Sequence, residues 1–259
     1  MDLKLEGSRV LITGGSKGIG LAIAISFARE GALPIIVSRS AEALEKAALA
    51  IKNETGVVVR ALAADLATSD GVERLVSGAG DMDILINNAG AIPGGSLADV
   101  DDSRWRQSWD LKLFGYINLV RAVLPRMEQR GGGVIANIIG MAGAAPRNEY
   151  ICGSTANAAL MAFTKAVGAA SPRRNVRVFG INPSPTRSDR MESMLRAQAT
   201  KKLGDESRWM ELTSGLPFGR LTEPQEIADL TVFSCSTRSG YLSGTVINVD
   251  GGQMYASPQ

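Results

Sequence analysis

The sequence predicts a single doubly wound α/β domain: a parallel sheet of mostly seven strands with helices on both faces. Short apolar runs alternate with longer amphipathic stretches along the whole chain. Strands buried on both faces read as such continuous runs, not as alternating ones. No linker, repeat or low-complexity stretch breaks the rhythm, and 259 residues fall within the range of one large domain. Right-handed crossovers then wind the chain outwards in both directions from the first strand.

Each element follows from local pattern. Arg9-Val10-Leu11-Ile12-Thr13 reads as a buried strand, and 19–30 as a helix with apolar residues at helical spacing. Pro34-Ile35-Ile36-Val37 is the second strand, followed by a helix over 41–53. Residues 57–62 form the third strand and 70–77 a helical turn or two. Asp83-Ile84-Leu85-Ile86-Asn87 is the fourth strand. A long helix is expected over 103–129, opened by the acidic Asp99, Asp101 and Asp102, which suit the positive end of a helix dipole. Residues 134–139 are a strand, 148–170 a helix and 176–181 a strand. A short helix over 224–234 and a last strand over 245–249 complete the pattern. Residues 184–219 stand outside it. This insertion carries Met191, Met194, Leu195, Trp209, Met210, Leu212 and Phe218, and reads either as a substrate lid or as amphipathic helices packed on the core.

Composition removes several function classes. Apolar residues are 45 % and charged residues 21 %, which excludes a disordered chain. The formal charge of +2 gives no global pull towards nucleic acid or an anionic membrane. No apolar run approaches the ~20 residues of a membrane helix. Asp2, Lys4, Glu6 and Arg9 argue against a signal peptide. Cys152 and Cys235 make no disulfide framework, so a reducing, cytoplasmic setting is expected. There is no histidine, which excludes every Ser-His-Asp and Cys-His mechanism and every His-based metal site. No metal constellation is visible.

Thr13-Gly14-Gly15-Ser16-Lys17-Gly18-Ile19-Gly20 lies between the first strand and the first helix. Glycines permit a tight turn and let backbone N–H groups approach a pyrophosphate, while the helix start adds free donors and a positive dipole end. Placed inside a βαβ unit, this is a dinucleotide-binding fingerprint. At the end of the second strand an enzyme selecting NAD places an acid for the ribose hydroxyls. Here the residues are Ser38-Arg39-Ser40. Arg39 can pair with a 2′-phosphate through two N–H groups, Ser38 or Ser40 can hydrogen-bond it, and Lys17 can add a second cation. NADP(H) is therefore expected in preference to NAD(H).

The whole chain resembles a short-chain dehydrogenase/reductase. The glycine loop resembles the family's T-G-x-x-x-G-x-G, and Asn87-Asn88-Ala89-Gly90 its N-N-A-G. Asp65-Leu66 follows the third strand, where the resemblance implies an adenine contact. Residues 183–188 resemble the P-G-x-x-x-T segment at the nicotinamide, with Pro183 kept, Ser184 at the glycine and Ser188 at the threonine. Val249-Asp250-Gly251-Gly252 matches a C-terminal V-D-G-G. The resemblance implies a Rossmann domain, hydride transfer with a nicotinamide cofactor, a small-molecule substrate and a homo-oligomer, tetramer or dimer, packed through the helices at 103–129 and 148–170.

The same alignment removes the family's catalytic residues. These are a serine, a tyrosine and a lysine spaced Ser-x12-Tyr-x3-Lys, with an asparagine on the preceding long helix. Asn157-Ala158-Ala159-Leu160-Met161-Ala162-Phe163-Thr164-Lys165 resembles K-A-A-L-x-x-F-T-K. The lysine then falls on Asn157, the tyrosine on Gly153 and the serine on Gly140. The segment from Ala136 to Gly140 resembles V-N-I-S-S and agrees. Trp105 to Lys112 with Gly115 resembles W-x6-N-x2-G, so the asparagine falls on Lys112. Lysine and asparagine thus look exchanged between Lys112 and Asn157. Tyr150 stands one helical turn before Gly153 on nearly the same face. Tyr150 or Lys112 is the candidate proton donor of a rearranged site, and packing is the competing role for Tyr150. Cys152, Cys235, Trp105, Trp109 and Tyr116 read as packing residues.

Three functions remain open on sequence grounds. One is an NADP(H)-dependent oxidoreductase acting on a carbonyl or alcohol with an apolar body. The second is a catalytically silent dinucleotide-binding sensor or scaffold. The third is non-redox chemistry in the same pocket. A positioned acid contributes ~10²–10⁴-fold to rate, and dinucleotide binding needs little of what has been replaced.

Overall fold

β1 (Arg9–Thr13) is the centre from which the sheet grows in both directions. The structure, a computed structural model, describes residues 1–255. Going one way from β1, α1 (Gly18–Arg29), β2 (Leu33–Ser38), α2 (Ala41–Thr55) and β3 (Arg60–Ala63) follow in turn. After α3 (Ser69–Ala79) the chain crosses back to β4 (Ile84–Asn87) on the other side of β1. Then come α4 (Asp102–Trp109), α5 (Gly115–Gln129), β5 (Gly133–Ile138), α6 (Ile151–Ala170) and β6 (Val176–Pro183). Last are α7 (Asp189–Leu203), α8 (Pro224–Cys235) and β7 (Val246–Val249). The seven-stranded sheet has the order β3-β2-β1-β4-β5-β6-β7, parallel throughout. The order reverses between β1 and β4, and ligand sites of such sheets open beyond the strand C-termini at that point.

The sheet is covered on both sides, as the continuous apolar strands require. On one face Val10, Ile12, Ile36 and Ile86 pack with Ile23 and Phe27 of α1, Leu44 and Ile51 of α2, and Ile227 of α8. On the other, Leu11, Val37, Leu85 and Ile135 pack with Leu75 of α3 and Leu119 and Val123 of α5. Burying each such side chain contributes about 1.5–3 kcal/mol. Arg177 closes the far end of α8 by donating to the carbonyls of Ser234, Cys235 and Ser236.

Three elements differ from the sequence expectation, each for a local reason. β3 starts at Arg60, because Gly56 ends α2 in the left-handed region (φ 76°) and Arg60–Ala63 is the stretch in register with Ile35–Ser38. The expected helix over 103–129 is interrupted by a π turn, Asp110–Phe114, in which Gly115 N donates to Asp110 O. The loop after β3 crowds that point: a Cβ on Gly115 would lie 2.9 Å from Leu66 O. α6 begins at Ile151, and Tyr150 is its non-helical N-cap (φ −144°, ψ 37°).

The 184–219 insertion folds as α7 and a following 3₁₀ segment, Glu206–Thr213. Ala199, Trp209 and Leu221 form its own small core with Met191, Leu195, Leu212 and Leu216 around them. Most of the apolar side chains that suggested an apolar substrate are therefore used inside the segment. Met194, Met210 and Phe218 remain exposed.

Candidate active site

The loop after β1 is tied to the loop after β4 by one hydroxyl. Thr13 Oγ1 is fully buried, donates to Ile86 O, and accepts from Asn88 N (2.8 Å) and Ala89 N (3.0 Å). Asn88 Nδ2 returns two bonds, to Thr13 O (3.0 Å) and Gly14 O (3.3 Å). This close approach explains two glycines. Gly14 has φ +66°, and a Cβ there would sit 2.9 Å from Asn88 Nδ2; a Cβ on Gly20 would sit 2.2 Å from Gly14 O. Gly18 also has positive φ (+55°), but a Cβ on it would meet nothing within 4 Å, so its outer face is open. Lys17 is the extended N-cap of α1 and provides no side-chain cap, which leaves the first-turn N–H groups available to an anion. Ser16 and Ile19 flank it half-buried.

At the ribose end Ser38 and Ser40 are already engaged with the backbone. Ser38 Oγ donates to Ser40 O, and Ser40 Oγ accepts from Ala43 N as the N-cap of α2. Arg39 is exposed at the tip of that turn, and no ion pair holds it among the described residues. Asp65 lies at the surface and accepts from Ala67 N (3.1 Å), while Leu66 beside it is buried. Pro183 ends β6, Ser184 Oγ pairs with Thr222 Oγ1 (3.0 Å), and Ser188 Oγ accepts from Met191 N as the N-cap of α7. Ser188 therefore accepts as a cap, and its O–H donates to no group among the described residues.

A dinucleotide fits this crevice by two observations. The outer face of Gly18 is open and the first turn of α1 has no side-chain cap, so backbone N–H groups are left for an anion at the glycine turn. Asn157 Oδ1, at the position where the resemblance expects the family's lysine, is buried with no hydrogen-bond partner among the described residues. An orphaned buried acceptor calls for a donor, and ribose hydroxyls are donors of the right kind.

The four expected catalytic positions come together around the ends of β4 and β5. A Cβ on Gly140 (φ +140°) would lie 2.9 Å from Asn157 Nδ2, so Asn157 fills the space a serine there would enter. Tyr150 does the same at Gly153. A Cβ on Gly153 would lie 2.0 Å from Tyr150 Cε1 and 2.2 Å from Cζ. The phenol ring therefore lies where the family's tyrosine side chain would begin. Its ring packs with Ile92, Val100, Cys152 and Ala156. Burial raises the Tyr150 pKa, with Arg190 pulling the other way.

Lys112 turns inward instead. It is buried in the π turn, its Cδ 2.6 Å from where a Cβ on Gly90 would be. Its Nζ donates to Tyr116 Oη (2.9 Å) and Ile138 O (2.8 Å), and Tyr116 Oη also donates to Ile138 O. Loss of water lowers the Lys112 pKa to about 7 and raises that of Tyr116. No hydrogen bond links Lys112 to Asn157 among the described residues. The exchange read from the sequence places a lysine below the site, not across it.

Tyr116 packs in a buried cluster, as expected, and its hydroxyl is in addition the polar partner of Lys112; the i, i+4 spacing on one helix is the signal that could have found this pair. Arg104 and Arg190 were not singled out at all. They belong to α4 and α7, far apart in sequence, and line a cleft of ≈ 270 Å³ with Ile92, Pro93, Gln107 and Ser108.

Fold, glycine turn and β4 loop define a nicotinamide-type dehydrogenase scaffold. Residues 8–199 match the family model for short chain dehydrogenase. The 2-keto-3-deoxy-L-fuconate dehydrogenase of Xanthomonas campestris pv. campestris is 32 % identical over 254 residues, covering 97 % of this chain and 81 % of the relative. L-sorbose reductase from Gluconobacter frateurii, solved with NADPH and L-sorbose, superposes with a TM-score of 0.91 at 33 % identity, covering 99 % of this chain and 100 % of that one. A 7α-hydroxysteroid dehydrogenase solved with NADH and 7-oxo glycochenodeoxycholic acid gives 0.84 at 29 % identity, over 97 % of this chain and 96 % of that one. The chain belongs to the short-chain dehydrogenase family of oxidoreductases.

Proposed function

We propose that this chain is an NADP(H)-preferring oxidoreductase for the carbonyl or alcohol group of a small molecule, with Tyr150 as proton donor. The observation that carries the donor assignment is the Tyr150 ring lying across Gly153. The glycine turn with Ser16, Lys17, Gly18 and Ile19, the β4 loop Asn88-Ala89-Gly90, and Pro183 would hold the dinucleotide. Asp65 and Leu66 flank its adenine end. The bound nicotinamide supplies or accepts the hydride. The chain's own residues do the rest. Tyr150 donates a proton to the carbonyl oxygen, and its hydroxyl has no protein hydrogen bond among the described residues. Asn157 accepts from a ribose hydroxyl. Lys112, whose amine faces Tyr116 and the Ile138 carbonyl, is a positioning residue that ties α5 to the end of β5 beneath Gly140.

NADP(H) is supported by Arg39, exposed and without a carboxylate partner among the described residues, and by Lys17 at the start of α1. Similarity to the NADPH-bound sorbose reductase agrees, while similarity to the NADH-bound steroid enzyme keeps NAD(H) as the competing cofactor. The relatives' oxo and hydroxy substrates support a small oxygenated substrate. Buried free thiols at Cys152 and Cys235 support a cytoplasmic setting. No helix among the described residues is long and apolar enough to cross a membrane. A homo-oligomer, tetramer or dimer, built through α4, α5 and α6, follows from the family resemblance.

Gly140, Gly153 and Asn157 at the catalytic positions favour one alternative, a silent dinucleotide-binding protein. NADPH oxidation with a ketone and oxo-acid panel, run beside titration of bound-cofactor fluorescence, separates the two. Turnover that depends on Tyr150 supports the enzyme. Tight binding with no turnover supports the silent protein.

A further inference from the structure

We propose that the substrate carries a carboxylate, and that Arg190 and Arg104 bind it at the mouth of the site; this rests on the oxidoreductase reading above. The cleft they line opens beside the residues that follow the β4 loop, Ala91 to Pro93. Arg190, in the first turn of α7, donates through Nη2 to Ile92 O, and Ile92 packs in the same cluster as Tyr150. The guanidinium is thus held at Ile92, one residue away in the apolar cluster that also contains Tyr150. An anionic group held there would lie alongside the proton donor.

Among the arginines of α4 and of residues 184–220, these two stand apart. Around the insertion, Arg187 pairs with Glu223, Arg196 with Glu192, Arg208 with Glu211 and Arg220 with Glu226. On α4, Arg106 pairs with Asp102. Arg190 and Arg104 have no such partner among the described residues. Two carboxylates beside Arg104 are already used: Asp99 accepts from Ser96 N and Oγ, and Asp101 caps α4 through Arg104 N. Arg104 spends one N–H on Asp99 O (3.5 Å). Two guanidinium groups with unspent donors, lining one cleft with Gln107, form a planar-donor site suited to a carboxylate. The cleft is open to solvent and lined by the exposed Arg104, Gln107 and Arg190, so a short oxo or hydroxy acid can reach both guanidinium groups from outside.

The test compares short oxo acids with their methyl esters, using wild type, Arg190→Ala, Arg190→Lys, Arg104→Ala and the ion-paired control Arg196→Ala. Two readouts are taken: steady-state NADPH oxidation, and calorimetric binding of acid and ester to the enzyme saturated with NADP+. Wild type is expected to prefer acid over ester. Arg190→Ala should raise KM for the acid about 10–100-fold with a smaller change in kcat, bringing the acid-to-ester ratio towards one. Arg190→Lys should restore part of the ratio, and Arg196→Ala should leave it intact. Equal handling of acid and ester by wild type overturns the proposal. So does a ratio unmoved by Arg190→Ala, or tighter binding of dihydroxyacetone phosphate than of any oxo acid. If nothing is turned over but acid binding still depends on Arg190, the carboxylate site stands and the oxidoreductase reading falls.

Discussion

Tyr150 and Gly153 share one volume: the phenol carbon bearing the hydroxyl stands 2.2 Å from the point where any side chain on residue 153 would start. Neither residue can be understood alone. A side chain at 153 would expel the ring, and the ring is what fills the space a glycine leaves.

The first prediction concerns the hydroxyl. Tyr150→Phe keeps the ring in place and removes the proton, so kcat for carbonyl reduction should fall ~10²–10⁴-fold with NADPH affinity unchanged. Burial raises the phenol above its ordinary value of 10.0, so the reductive rate should stay flat through neutral pH and decline only in the alkaline range beyond that value. Stopped-flow hydride transfer against pH measures both. Full activity in the Phe variant removes Tyr150 from the chemistry.

The second prediction isolates the shared volume. Gly153→Ala should destabilise the fold by about 1–3 kcal/mol through overpacking and should also depress turnover, because the ring must move. In a Tyr150→Ala background the same change should be nearly neutral for stability. A denaturation double-mutant cycle gives the coupling, and additivity of the two changes would show that they do not touch.

Lys112 gives a pH signature. Its pKa falls from 10.5 in the unfolded chain to about 7 in the fold. Between those values the unfolded chain binds the extra proton, so this group makes stability rise with pH, by up to about 1.4 kcal/mol per unit, and contributes no slope below about pH 7. Lys112→Met, which keeps the stem against Gly90, should flatten that rise. Urea unfolding across pH 6–10 reads it, and identical slopes in the two proteins would mean that Lys112 stays charged.

Cofactor choice should reside in Arg39. Arg39→Ala is expected to weaken NADP+ binding roughly 10–100-fold while leaving NAD+ binding within a few-fold. Equilibrium titration of both dinucleotides decides it, and equal losses would point to a general backbone effect.

Much of the site was legible because it is written in contiguous residues. A strand, a glycine turn and a helix start are one local statement, so residues 13–20 could be assigned without knowing what packs on them. Asn88 was recognised by pattern, though its job of bonding Thr13 O and Gly14 O needed the pairing of β1 with β4. The spacing reads Gly140, Gly153 and Asn157 as standing at the family's serine, tyrosine and lysine positions. Ser188 was expected at the nicotinamide, and its use as the α7 cap came from a helix start that the apolar pattern of 184–219 did not reveal.

From the order of its residues alone this chain is a doubly wound sheet with a dinucleotide turn, and with glycines at 140 and 153 where the resemblance expects a serine and a tyrosine, because strand burial, turn chemistry and motif spacing are short-range properties. The fate of the freed space was settled by folding in three dimensions. A π turn points Lys112 at Tyr116 and Ile138, a non-helical Tyr150 lays its ring over Gly153, and α7 swings Arg190 against Ile92. Those outcomes depend on which surfaces meet across the sheet and on what volume a missing side chain leaves, and no neighbour in the sequence records either.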